Sequence, residues 1–196
     1  MAGGWRHALG VGLVALGLLA AGSQLQRWLP SDDEDPGSEP FLRAGAVGEA
    51  VDLRTATVTV ESVSGSRTVE EYGSELVSPG VWVVARYTVV PDRENTPVTF
   101  AELEDADGRI WSLTGRNANV CLPGPPGVET HCAAYFEVPP DALPSLRLHL
   151  AREARDTRYD VVADVDLGLT EADAMTFAGA PPIDIPTASL GGKGQP

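Results

Sequence analysis

The stretch GVWVVARYTVV, Gly80 to Val90, decides how the rest of the chain is read. Val83, Ala85, Tyr87 and Val89 alternate with Val84, Arg86 and Thr88. That is the period of an extended strand, in which successive side chains point to opposite faces. The first set is apolar and places Tyr87 in a core. The second joins Trp82 and Val84 to Arg86 and Thr88, and leaves Trp82 two roles: packing within the sheet, or anchoring a partner from its surface. Trp82, Arg86 and Thr88 form the candidate partner surface of this strand.

The same period recurs on either side. Ala56, Val58 and Val60 alternate with Thr57, Thr59 and Glu61. TFAELEDADGRIWSLTG, Thr99 to Gly115, reads as two short strands around Asp107-Gly108, a tight-turn dipeptide. AAYFEVP follows, and SLRLHLARE sets Leu146, Leu148 and Leu150 against Arg147, His149 and Ala151. YDVVADVDLGL closes the series with Val161, Ala163, Val165 and Leu167 on one face. Short strands separated by turn residues predict an all-β, immunoglobulin-like sandwich over residues 47–169. After residue 30 no apolar stretch has helical period, apart from a possible turn at Thr170 to Ala174. There is no internal repeat.

The 196 residues have room for one ordinary domain and tails. A formal net charge of −14, with 28 acidic against 14 basic residues and no basic stripe, excludes nucleic acid as a partner. The run Asp32, Asp33, Glu34, Asp35 and Glu39 lies within PSDDEDPGSEP, a solvated linker assigned to residues 30–46. Before it, Ala8 to Gly22 carries no charge and follows Arg6 and His7. A positive flank before an oily run reads as an export signal with its N-terminus inside. Extended to Leu25, and bracketed by Trp5 and Trp28, it approaches the length of a membrane span. Ala20-Ala21-Gly22 is the competing cleavage site. Residues 1–29 are therefore a signal anchor, or a signal peptide if cleaved, and the remainder is expected outside the cytoplasm. Residues 170–196, rich in proline and glycine, are expected to be a mostly disordered tail in which Ile183 and Ile185 are able to pack.

Cys121 and Cys132 are the only cysteines. An even, small count in an exported chain predicts a disulfide, here pinning Pro123 to Gly127 against the strand that follows. The spacing excludes a redox C-x-x-C pair.

From about Val47 to Leu169 the chain resembles the telokin-like, immunoglobulin-like domains of exported Gram-positive proteins of unknown role. The likeness is carried by GEAVDLRTATVTVESV, WVVARYTVV, the hairpin LEDADGRIW, and YFEVPPDA, in which Phe136 and Pro139 supply a phenylalanine-x-x-proline segment. It implies an extracytoplasmic β-sandwich without catalytic apparatus, and assigns no functional residue.

Tests for chemistry are mostly negative. Asp105 and Asp107 before Gly108 echo the front of a calcium loop, but Leu103 and Thr114 stand where an EF-hand needs oxygen ligands. His131, Cys132, His149 and Met175 supply the residue types of a copper centre, yet a disulfide would consume the thiolate, and neighbours on a strand face apart. No G-x-S-x-G occurs. Asp141, Asp160, Asp164 and Asp166 could supply a carboxylate pair across strands, but Asp164 and Asp166 share one strand face and read as solvated. The reading is a non-catalytic binding module without cofactor, tethered to the membrane by its N-terminal helix. Its protein partner at the cell surface meets Trp82, Arg86 and Thr88, or the loop between the cysteines. The alternatives are a metal-binding protein or enzyme using Asp105, Asp107 or His131, and a purely structural spacer.

Overall fold

A computed structural model describes residues 39–113, 115–152 and 157–191. The segment assigned to a signal or anchor, 1–29, and the linker up to residue 38 lie outside these residues. No helix among the described residues is long and apolar enough to cross a membrane.

Two sheets face one another. The first is five-stranded, in the order β1 (Phe41–Ala46), β10 (Val161–Asp166), β9 (Arg147–Ala151), β5 (Phe100–Glu104) and β6 (Ile110–Ser112). The second is seven-stranded and is built on β3 (Ala56–Glu71), β4 (Ser74–Pro91) and β8 (Thr130–Val138). Four short strands edge it. On β3 these are β2 (Ala50–Asp52) and β11 (Ile183–Asp184), and on β8 they are β7 (Ala118–Val120) and β12 (Ser189–Leu190). The fold is a β-sandwich.

The expected alternation is what fills it. Val58, Val60, Val83, Tyr87, Phe136, Leu146, Leu148, Leu150, Val161 and Val165 meet in one core. Each large apolar side chain fully buried there contributes roughly 1.5–3 kcal/mol. Tyr87 keeps its hydroxyl satisfied by donating to Asn119 Oδ1 at 2.6 Å, and burial raises its pKa.

Three elements depart from the sequence reading. The first is the length of the β3–β4 hairpin. The stretch VSGSRTVEE extends β3 well beyond Glu61, and the chain reverses at Tyr72-Gly73, where Glu71 pairs with Ser74. Both turn residues have positive φ, 49° and 76°, as a two-residue turn matched to strand twist requires. Tyrosine in the first of these positions hides the usual Asn-Gly or Asp-Gly signature.

The second is β1. Its residues fall in the proposed linker, yet Phe41 to Ala46 pair in parallel with Val161 to Asp166, and Arg43 reaches Asp52 at 2.6 Å. The acidic composition upstream masked a strand.

The third is the tail. Residues 170–191, expected to be mostly disordered, fold back on the sandwich. Helix α1 (Glu171–Ala178) starts where the Asp173 carboxylate accepts bonds from both the amide and the hydroxyl of Thr170, each at 2.7 Å. Those bonds lower the Asp173 pKa, the hydroxyl's first. Phe177 of α1 lies over Gly65, where a Cβ would meet its ring at 2.1 Å. Only glycine leaves room for that approach. Beyond the helix, Ile183 and Asp184 pair with Val69 and Glu70. Pro181, Pro182 and Pro186 bound that short strand without disturbing it, since an edge strand tolerates missing donors.

Candidate functional site: the outer face of the seven-stranded sheet

The face of β4 opposite the core carries Trp82, Val84, Arg86 and Thr88, in register with Glu137, Tyr135, Ala133 and His131 of β8. It divides into two ends.

At the first end Trp82 is 0% exposed. It packs with Val69, Val84, Tyr135 and Ile185 in a second apolar cluster, flanked by Leu76, Ala118, Val120 and Ile183. Its indole Nε1 donates to the Leu76 carbonyl at 2.9 Å, its ring meets Tyr135 edge-on at 5.9 Å, and the Arg116 guanidinium stands 5.0 Å above it. The Tyr135 hydroxyl donates to Glu71 Oε1 at 2.5 Å, and burial and that carboxylate both raise its pKa. The cover is the chain's own C-terminal segment. Ile185 donates its amide to the Glu70 carbonyl at 2.9 Å and is itself buried. Trp82 is thus removed from the candidate partner surface, because two isoleucines of the supposed tail lie over it. Arg86 is half-buried and donates to the Asp184 carbonyl at 3.4 Å. Thr88 is 6% exposed, too enclosed to meet a partner.

At the other end the face turns polar. Glu61 occupies a bulge in β3, between the paired residues Val60 and Ser62. A bulge leaves one residue without a cross-strand partner and re-aims its side chain. Glu129 immediately precedes β8, and His131 is the second residue of that strand. One carboxylate oxygen of each glutamate and one ring nitrogen of His131 lie within 4.8 Å of one another. His131 Nε2 is shielded from solvent and has no hydrogen-bond partner among the described residues. A buried polar atom left that way costs about 1–3 kcal/mol. Of the three, His131 alone stands out in the sequence as a candidate ligand. The signal was Glu-Thr-His, 129–131, which sets a carboxylate two residues from an imidazole at the entry to a strand.

Beside this end runs the loop between the cysteines. The Cys121 and Cys132 sulfurs lie 2.01 Å apart, at disulfide distance, with Cys132 turned into the core. Gly124 bridges to Thr96, and Gly127 donates its amide to the Pro91 carbonyl at 2.8 Å. A Cβ on Gly124 would stand 2.2 Å from Thr130 Oγ1 and 3.5 Å from Leu190 Cδ2, so the loop lies tightly against β8 and β12. Leu122 and Leu190 remain 49% exposed each.

The other sequence candidates have structural employment. Asp105 Oδ1 accepts from the amides of Asp107, at 3.0 Å, and Arg109, at 2.9 Å, while Oδ2 accepts from Arg109 Nε at 2.6 Å. Burial alone would raise its pKa, but these donors, led by the Arg109 amide, hold it below the ordinary carboxylate value. Its oxygens close a hairpin loop and are committed there. Asp107 sits exposed at the tip, and Arg109 goes on to Asp141 at 2.9 Å. His149 is on the outer side of the five-stranded sheet, 3.2 Å from Asp164 Oδ1, and Arg147 also holds that carboxylate. His149 and His131 therefore sit on different sheets. Met175 is on α1 and exposed. Cys132 is oxidised, so the four residue types of a copper centre are not brought together.

No protein-family model matches the chain, and no curated protein matches it. Among solved structures it is similar to an uncharacterized β-sandwich protein from Clostridium difficile 630, whose crystal structure extends to 1.90 Å. The identity is 11%, the alignment covers 67% of this chain and 99% of that one, and the TM-score is 0.45.

Proposed function

We propose that the chain is a non-catalytic binding module outside the cytoplasm, held to the membrane by residues 1–29 and presenting a telokin-like, immunoglobulin-like sandwich to a protein at the cell surface. The Cys121–Cys132 bond is the observation that carries this reading, because such bonds persist in oxidising compartments and are rare in the cytosol. The oily leader and the acidic linker fit the same placement.

The partner meets the rim of the sandwich rather than the tryptophan face. Leu122, in the loop closed by the disulfide, and Leu190, on an edge strand held by pairing with β8, are half exposed. Rigid apolar side chains lose little freedom on binding, which favours affinity.

Crosslinking on intact cells followed by pull-down of the full-length protein tests both parts. The wild type is expected to capture a specific protein, and Leu122→Asp with Leu190→Asp to lose it. A wild type that captures nothing supports the spacer reading instead. Capture unchanged in the double variant moves the partner elsewhere on the module. Thiol labelling of intact cells checks the placement: both cysteines should react only after reduction.

A further inference from the structure

We propose that Glu61, Glu129 and His131 form a binding site for a divalent transition ion, zinc first among them. The site is independent of the protein partner proposed above. Glu61 is far in sequence from Glu129 and His131, and their convergence has a structural cause. Glu61 is on β3 and His131 on β8, with β4 between them, so their backbones stand about 9.5 Å apart across two strand spacings. The residue beneath the gap is Thr88, paired with His131 and short enough to be covered. The β3 bulge then aims Glu61 across it, and Glu129, two residues before His131 and just ahead of β8, adds the second carboxylate.

The donor set has the chemistry of a metal site. One imidazole and two carboxylates suit zinc and its neighbours, whereas calcium takes six to eight oxygens and gains little from nitrogen. A tetrahedral zinc with bonds near 2.05 Å sets its ligand atoms about 3.3 Å apart. The present separations of up to 4.8 Å close to that value by rotation of two exposed glutamate side chains. Neither glutamate forms an ion pair with an arginine among the described residues. Arg86, the nearest cation along β4, is directed to the Asp184 carbonyl instead. Among the described residues, two carboxylates without an arginine partner stand beside an imidazole whose Nε2 is unpartnered, and a cation answers the charge of the first and the need of the second. Three protein ligands leave a fourth position for water or for a group supplied from outside.

The test is titration of the untagged full-length chain in detergent with zinc chloride, read by calorimetry, and with cobalt chloride, read by visible absorption. One equivalent of zinc is expected to bind at micromolar concentration and to raise the melting temperature. Cobalt should give the intense bands of a low-coordinate site. Glu61→Gln and Glu129→Gln should each weaken zinc at least about tenfold, and His131→Gln should abolish both the heat and the cobalt bands. The apo melting temperature of each variant verifies folding, and the glutamates, being exposed, are the variants that keep the test valid if His131→Gln fails to fold. Millimolar zinc without heat or thermal shift overturns the proposal. So does binding that survives both glutamate variants, which would place the ion on the acidic run at 32–39, and so does equal displacement by calcium.

Discussion

The two ends of the outer sheet face share strands, period and pleat, yet they have opposite fates. Around Trp82 the face is sealed by Ile183 and Ile185 of the C-terminal segment, and it behaves as a second small core. Around His131 no such segment among the described residues lies over it, and Glu61 and Glu129 remain exposed. The difference is not in β4, whose alternation is uniform from Trp82 to Val89. It is in what the chain brings back a hundred residues later. A strand's pattern says which residues share a face, and a distant segment decides whether that face meets water.

The sharpest way to break this comparison is Trp82→Ala. A sealed tryptophan should cost about 3–5 kcal/mol in urea unfolding, against no more than about 0.5 kcal/mol for an exposed one. Next comes the disulfide beside the open end. Replacing both Cys121 and Cys132 by serine, a separation of 11 residues, should lower stability by about 3 kcal/mol in the chain-entropy account. Because the bond anchors only the rim, Trp82 fluorescence should stay that of a buried indole in the folded variant. Ile185→Ala attacks the seal directly and should cost about 2 kcal/mol, the lower end for a buried isoleucine. It should also shift Trp82 emission to the red, which the serine variant should not.

Two further effects sharpen the picture away from that face. Gly65→Ala should cost about 1–3 kcal/mol by driving a methyl into the Phe177 ring, and a double-mutant cycle with Phe177→Ala should recover most of it. Asp105→Asn should cost about 1 kcal/mol near neutral pH. The folded pKa of Asp105 lies below its unfolded value of 3.8, so its contribution is complete above that value and is lost as pH falls through the folded one. The gap between wild type and variant should therefore narrow in acid unfolding below about pH 4.

Much of the sandwich was legible in particular residues. Val83, Ala85, Tyr87 and Val89 reached the core as their alternation required, as did Leu146, Leu148 and Leu150. The cysteine pair was readable too, from count and leader alone. Other features resisted for physical reasons. Tyr72-Gly73 carries the turn without the residues that normally announce it. The tail's prolines look like disorder until Ile185 finds Trp82, since composition reports average burial and not one well-placed contact. The Glu61–Glu129–His131 cluster was one-third visible, because its other members are ordinary exposed glutamates until β3 bulges and β4 places Thr88 between the two strands.

By itself, then, the sequence determined the extended period, the identity of the inward-facing residues and the staple at Cys121 and Cys132. These are properties of short stretches, set by backbone geometry and by side chains a few positions apart. The tertiary structure alone decided that Trp82 is covered, that Phe41 to Ala46 is a strand, and that two glutamates converge on His131. Each of these depends on segments far apart in the chain, and which of them meet is settled by the packing of the whole sandwich rather than by any local preference.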